Sequence, residues 1–291
     1  MIVITGATGR LATAVAGHIR RLDPGQRIVG AARRPAAAAA DVFDDVRYAD
    51  YDRPDTVLSA LSGAMTVLLV SGTAFGQRVA QHRTVVDAAQ RSGVDFLAYT
   101  SAPRVDSTEL AFGPEHLETE RLVRTSGLRH ALLRNNWYHE NYAPTVAEAA
   151  ATGSFTGNAA NGRVASAALE DYAEATAGIL VNPTDHHDRT YELAGDTSWT
   201  YSELAELIGQ ILGRPVAYRD LSTADRRAQL ITAGHTAAEV TAAADIDRDI
   251  AHGALDFTDH TLSRLLGRPT TPLRATVEAV LETTARERLA R

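Results

Sequence analysis

Through its first 135 residues the chain alternates short apolar runs with amphipathic stretches. Apolar runs at residues 2–4, 27–32, 46–52, 65–70, 95–100 and 129–134 predict six strands, short enough to be crossed by a sheet and too continuous to face water. Between them, Leu11, Ala12, Val15 and Ile19 recur at helical spacing, and helices are expected over 54–61, 78–92 and 113–124. The alanine run at 36–40 predicts one more short helix. Strands that alternate with helices make a parallel, doubly wound sheet. Past Pro144 the rhythm loosens. Residues 155–162 read as a turn region, 166–180 and 201–212 as helices, 190–194 and 216–221 as strands, and 223–243 and 272–288 as helical stretches. The expected fold class is α/β: a Rossmann-type doubly wound parallel sheet with a smaller C-terminal α/β domain. The expected boundaries are 1–135 for the first domain, with a returning strand near 190–195, and 136–291 for the second.

The first candidate chemistry lies where the first strand meets the first helix. Gly6-x-x-Gly9-x-x-Ala12 opens a tight turn there, a layout that sets a helix N-terminus against a phosphate. Gly6 allows the turn, Gly9 lets backbone approach a pyrophosphate, and Ala12 permits close helix–strand packing. The second strand ends in Arg33-Arg34 with no acidic residue. An acid at this place bonds the ribose hydroxyl of NAD, whereas arginine suits the 2′-phosphate of NADP. NADP(H) is therefore the expected cofactor, with Arg33 its main contact. Ligands of such sheets bind beyond the carboxyl ends of the strands, which puts residues 6–10, Arg33, Asp50 with Tyr51, Ser71-Gly72-Thr73, and Thr100 with Ser101 along one rim. The segment Asn135-Asn-Trp-Tyr-His-Glu-Asn-Tyr142 is dense in amides and aromatics and suits a flat pocket.

Composition removes alternatives. All 29 basic Lys+Arg residues are arginine, so P-loop lysines, Schiff bases and a Tyr-x-x-x-Lys pair are impossible. There is no cysteine, which excludes thiolate chemistry and disulfides. The net charge of −7 disfavours nucleic acid as a partner. No apolar run reaches membrane-span length, and no charged segment precedes the first strand, so a cytoplasmic protein without membrane partners is expected. The His186-His187 pair has no partner at ligand spacing, and no metal is expected. Homo-oligomer formation stays open at this stage.

Residues 4–11, 76–82, 97–101, 133–141, 191–196 and 266–271 together resemble the NmrA-like, atypical short-chain dehydrogenase/reductase family, and within it the bacterial NADPH:quinone oxidoreductases of type 2. The resemblance spans nearly the whole chain. It implies a Rossmann domain holding NADPH and a quinone-like small-molecule acceptor bound between the domains. By position it implies Gly6, Thr8, Gly9, Arg10 and Leu11 at the pyrophosphate, Arg33 at the 2′-phosphate, Ser71, Gly72 and Thr73 near the nicotinamide ribose, and residues 135–141 near the acceptor. Asn136 and Asn141 are expected to polarise the acceptor carbonyl, with Phe75, Trp137 and Tyr142 lining its pocket. Where relatives carry arginine then asparagine, this chain carries Arg33-Arg34. Typical members of the wider family rely on a tyrosine–lysine pair, and His116 and Glu120 stand on the helix where it would lie. Hydride transfer to a quinone needs little acid help, so it is the expected reaction. The rival reading is a non-catalytic NADP(H)-binding redox sensor.

Overall fold

The computed structural model describes residues 1–39, 41–108 and 110–289. In its first half the elements run β1 (Ile2–Thr5), α1 (Arg10–Leu22), β2 (Ile28–Ala32), β3 (Asp45–Tyr48), α2 (Pro54–Leu61), β4 (Thr66–Leu69), α3 (Arg78–Arg91), β5 (Phe96–Ser101), α4 (Gly113–Thr125) and β6 (Arg129–Asn135). The second half holds α5 (Ala143–Thr152), β7 (Ser154–Gly157), β8 (Arg163–Val164), α6 (Leu169–Val181), β9 (Arg189–Leu193), β10 (Trp199–Thr200), α7 (Tyr201–Leu212), β11 (Ala217–Asp220), α8 (Thr223–Thr232), α9 (Ala237–Ala251), α10 (Thr261–Leu266) and α11 (Leu273–Leu289).

Seven strands form one parallel sheet in the order β3-β2-β1-β4-β5-β6-β9. The order reverses at β1, so a crevice opens between the carboxyl ends of β1 and β4. The five inner strands, β2, β1, β4, β5 and β6, are buried on both faces because helices cover both, while the edge strands β3 and β9 are partly exposed. Ile2, Ile4, Phe96, Ala98 and Leu133 pack towards α1 and α6, while Val3, Val67, Leu97, Tyr99 and Leu132 pack towards α2, α3 and α4. The returning strand expected near 190–195 is β9, which pairs with β6. The helix before it, α6, lies against α1 on the main sheet. A third core, built on Tyr142, Phe155, Trp199, Tyr201 and Leu204, holds α5, α7, α11 and the small sheets β10-β8 and β11-β7.

Local reading and structure part at three places. The alanine run forms only a 3-10 turn over Pro35–Ala37, and Ala38 is already extended. Ala36 and Ala37 face solvent, and so short a helix has no packing to hold it. Ala40 lies outside the described residues. Pro144 sits in the first turn of α5, where its missing N–H costs nothing. Residues 155–157, inside the expected turn region, belong to β7, which pairs in parallel with β11. The stretch 223–243 is two helices, broken at Gly234 (φ 86°) and restarted by a capping box between Thr236 and Glu239. No helix among the described residues is long and apolar enough to cross a membrane.

Candidate functional site

The crevice at the strand-order reversal is a cleft of about 330 Å³. Its floor is the turn after β1. Gly6 adopts φ 64°, a region a side chain would strain, and the Gly9 N–H closes the turn on the Gly6 carbonyl at 2.8 Å. A Cβ on Gly9 would stand 3.1 Å from that carbonyl, so this corner stays bare. Gly9 then caps α1 without any side-chain bond, which leaves the first amides of the helix pointing out of its N-terminus. Backbone N–H groups at a positive helix end are suited to a pyrophosphate. Thr8 lines this cleft and also a neighbouring hollow that it shares with Arg10. Leu11 is 8% exposed and packs inward, so only its backbone can serve.

Arg33 and Arg34 stand at one end of the cleft, both exposed, and neither is ion-paired among the described residues. Asp50 and Tyr51 follow β3 and form the adjoining wall. Burial pushes the Tyr51 hydroxyl up to about 12, so it stays protonated. Ser71, Gly72, Thr73 and Ala74, in the turn after β4, form the opposite wall with Gln81 of α3. Thr100 does not line the cleft. Its hydroxyl accepts the Ser71 N–H at 2.9 Å, as the Thr5 hydroxyl accepts that of Val70 at 3.0 Å. Ser101 is buried behind it. The small side chains of Ala31, Ala32 and Ala49 at the strand ends, with Arg34 and Gln81, complete the lining; sequence reasoning did not assign them.

The turn after β4 is clamped from α3 and α4. The Gly72 N–H donates to His82 Nε2 (3.0 Å), and Arg78 Nε donates to the Gly72 carbonyl (2.8 Å). Arg78 Nη1 also reaches Glu115 at 2.9 Å, and the other Glu115 oxygen accepts the Gly76 N–H at 2.8 Å. Because His82 Nε2 accepts, its proton sits on Nδ1, which donates to the Thr119 hydroxyl at 3.1 Å. His82 is fully buried. Burial first, then the Arg78 charge, hold its pKa down at about 3.

The acceptor-side expectations fare unevenly. Trp137 is half-buried and stacks on Phe112, with ring centroids 6.4 Å apart, and Phe112 in turn meets His116 edge-on. Phe75 is 63% exposed beside the cleft turn, with Arg78 5.0 Å above its ring. Asn141 is exposed. Asn136 must be corrected. It is 3% exposed, its Nδ2 donates to the Leu255 carbonyl (3.2 Å), and its Oδ1 accepts the Trp137 N–H (2.8 Å). An amide bonded through both Nδ2 and Oδ1 and 3% exposed orients Trp137 from within the protein. Tyr142 is corrected too: it is 5% exposed and packs on Trp199 and Tyr201 in the third core.

The helix that would carry a tyrosine–lysine pair is committed elsewhere. His116 is bonded to the Tyr99 hydroxyl at 2.7 Å, and burial pushes its pKa down to about 3. Glu120 forms a two-bond ion pair with Arg134 at 2.9 and 2.8 Å. Among the described residues no group of three or more His, Asp or Glu is placed to hold a metal, and His186 is bonded to the Tyr191 hydroxyl.

Buried neutral histidines carry a pH signature. His82, His116 and His139 are held at about 3, 3 and 4, against an ordinary value near 6.5 in the unfolded chain. The folded state therefore binds fewer protons, so their contribution to stability is complete above pH 6.5 and declines as pH falls towards 4. Each can cost up to about 1.4 kcal/mol per pH unit in that window. Chemical denaturation at several pH values between 7 and 4.5 should show the decline beginning near pH 6.5, ahead of ordinary carboxylate titration. Stability flat down to pH 5 would contradict these neutral assignments.

A sequence profile of the NmrA-like family matches residues 1–263. The chain is 41% identical to Quinone oxidoreductase 2 of Escherichia coli over 95% of this chain and 97% of that protein. It superposes on the crystal structure of an NADPH-dependent quinone oxidoreductase of E. coli complexed with NADPH, with TM-score 0.92 and 40% identity, over 97% of this chain and 100% of the other. The Citrobacter triphenylmethane reductase complexed with NADP(H) gives TM-score 0.91 at 29% identity, over 96% and 99% of the two chains.

Proposed function

The chain belongs to the NmrA-like family, and on that footing we propose that it is an NADPH-dependent oxidoreductase that reduces a quinone. The observation that carries the reading is the cleft itself: a bare glycine turn under a helix N-terminus at its centre and two exposed arginines at one end. End-to-end likeness to a quinone oxidoreductase supports the acceptor class. The amides at the start of α1 would hold the pyrophosphate, Arg33 with Arg34 the 2′-phosphate, Asp50 and Tyr51 the adenine edge, and Ser71 to Thr73 the nicotinamide ribose. When bound, NADPH supplies the hydride that the acceptor takes.

The chain's own work is positioning. Asn136 fixes the Trp137 backbone, and the Trp137–Phe112 stack offers a flat apolar wall to a planar acceptor, with Phe75 and Asn141 at its rim. His116 and Glu120 are bonded within the protein, so water supplies the one proton that, added to the hydride, completes the hydroquinone. Reduction without a resident acid suits a quinone better than an alcohol or a ketone. We place the cofactor-binding part in residues 1–135 and the acceptor-binding part in 136–291. Cytoplasmic localisation belongs to the same proposal.

The commitment of His116 and Glu120 to partners within the protein equally suits a redox sensor that binds NADP(H) and does not turn over. Steady-state NADPH oxidation with a panel of benzo- and naphthoquinones separates the two. Acceptor-dependent loss of NADPH is expected; binding with no turnover on any acceptor would favour the sensor.

A further inference from the structure

The turn from Ser71 to Ala74 belongs to no strand or helix, yet it forms one wall of the cleft. Four backbone groups in and beside it are held by side chains. Thr100 takes the Ser71 N–H; His82 takes the Gly72 N–H; Arg78 donates to the Gly72 carbonyl; Glu115 takes the Gly76 N–H. Three of these side chains lie on α3 and α4 and are joined to one another by the Arg78–Glu115 ion pair and by Thr119, whose hydroxyl meets His82 Nδ1 and donates to the Glu115 carbonyl. Arg78 is 4% exposed, and His82 and Thr119 are wholly buried. A buried guanidinium and imidazole are costly unless fully bonded. Here bonds from both converge on a single residue, Gly72, one at its N–H and one at its carbonyl.

Glu115 stands in the first turn of α4, three residues after Phe112, which stacks on Trp137. The same helical turn thus braces the cofactor-side wall and borders the acceptor-side one. From this convergence we infer that Arg78, His82 and Glu115 are positioning residues that fix the Ser71–Ala74 turn against the nicotinamide end of the cofactor. The role rests on the NADPH reading above. It assigns a task to the 76–82 segment, which includes Arg78 and His82, and it places the clamp away from the Arg33 end. Neither His82 nor Glu115 touches the reacting atoms; each acts through the Gly72 or Gly76 backbone.

The clamp should matter to one half of the cofactor only, and that gives a test. In His82→Leu the acceptor for the Gly72 N–H is lost, whereas in His82→Gln the amide oxygen restores it. His82→Leu is expected to lower kcat/KM for NADPH with a naphthoquinone by about tenfold or more, the scale of a misplaced reacting group. His82→Gln should recover most of that loss. Binding of adenosine 2′,5′-bisphosphate, which reports only the Arg33 end, should match wild type in both. If His82→Leu does not fold, Glu115→Gln is expected to show the same split. Wild-type kcat/KM in His82→Leu, or in Glu115→Gln where that variant is used, would overturn the clamp. So would equal weakening of adenosine bisphosphate and NADPH, which marks a general structural defect. Failure of wild type to bind NADPH at all would instead refute the cofactor reading.

Discussion

Replacing Arg33 by alanine raises the Michaelis constant for NADPH by roughly ten- to a hundredfold and leaves that for NADH nearly unchanged. The expectation follows from where the guanidinium stands. It lies at the end of β2 on the cleft, exposed, with no carboxylate partner among the described residues. A charge-assisted hydrogen-bonded pair with a phosphate contributes about 1.5–3 kcal/mol, and every 1.4 kcal/mol is about tenfold in affinity. NADH lacks the 2′-phosphate and has nothing to lose there. Arg34 lines the same end, so Arg33→Ala with Arg34→Ala should remove the residual preference. Steady-state constants for both cofactors on one acceptor decide the matter. Equal losses for NADPH and NADH would place the arginines in general electrostatics, not in 2′-phosphate recognition.

The largest expected effect on stability comes from Arg134→Met. Arg134 is 5% exposed at the end of β6, and its guanidinium meets three carboxylates. Glu120 takes two bonds, Glu192 one at 2.8 Å, and Asp106 one at 3.1 Å. Glu120 is 1% exposed, so removing its partner leaves a charge in the interior. Breaking a buried pair in this way costs about 3–5 kcal/mol. The effect should reach the segment after β5 as well, because Glu192 also accepts the Arg104 N–H at 3.0 Å. Arg104, at φ 49°, holds a conformation that its surroundings must impose. Burial raises the Glu192 pKa while Arg134 opposes the rise; without the guanidinium, the carboxyl should protonate more readily. Denaturant titration of Arg134→Met, Glu120→Leu and the double variant checks the account. The double variant is expected to recover most of the loss, since it removes both buried charges. A double variant no more stable than the single would show that the pair's burial is not the cause.

The inner strands of the sheet were legible because they are buried on both faces. Continuous apolar runs such as residues 65–70 need no tertiary information to be recognised. The rim of the cleft was legible for a related reason: once strand order is assumed, the carboxyl ends of β1, β2, β3 and β4 must converge. Arg33, Asp50, Tyr51 and the 71–73 turn lie on the cleft as that rule requires. Thr100 is one layer back, supporting the turn, since β5 lies beside β4 and not beside the crevice.

What the sequence hid depends on contacts distant along the chain. Asn136 looks like a ligand-binding amide, but it is bonded to the carbonyl of Leu255, and no periodicity signals a partner 119 residues away. Tyr142 sits in an aromatic segment that faces two ways, Trp137 towards Phe112 and Tyr142 into the third core. The short strands β7, β8, β10 and β11 have two to four residues each and exist only through pairing across 35 or more positions, as Trp199 with Val164. The clamp on Gly72 was invisible too, because a histidine on the inner face of α3 reads as packing until its Nε2 is seen to face a backbone amide.

On this protein hydride is expected to leave NADPH for a quinone without another redox group. The most direct measurement is a single turnover, in which the purified protein preloaded with NADPH is mixed with a naphthoquinone while nicotinamide absorbance and hydroquinone are followed together. The account predicts loss of one NADPH for each hydroquinone formed, slowed when the transferring hydrogen of NADPH is deuterium. NADPH that remains bound and unoxidised before every quinone tried would contradict it.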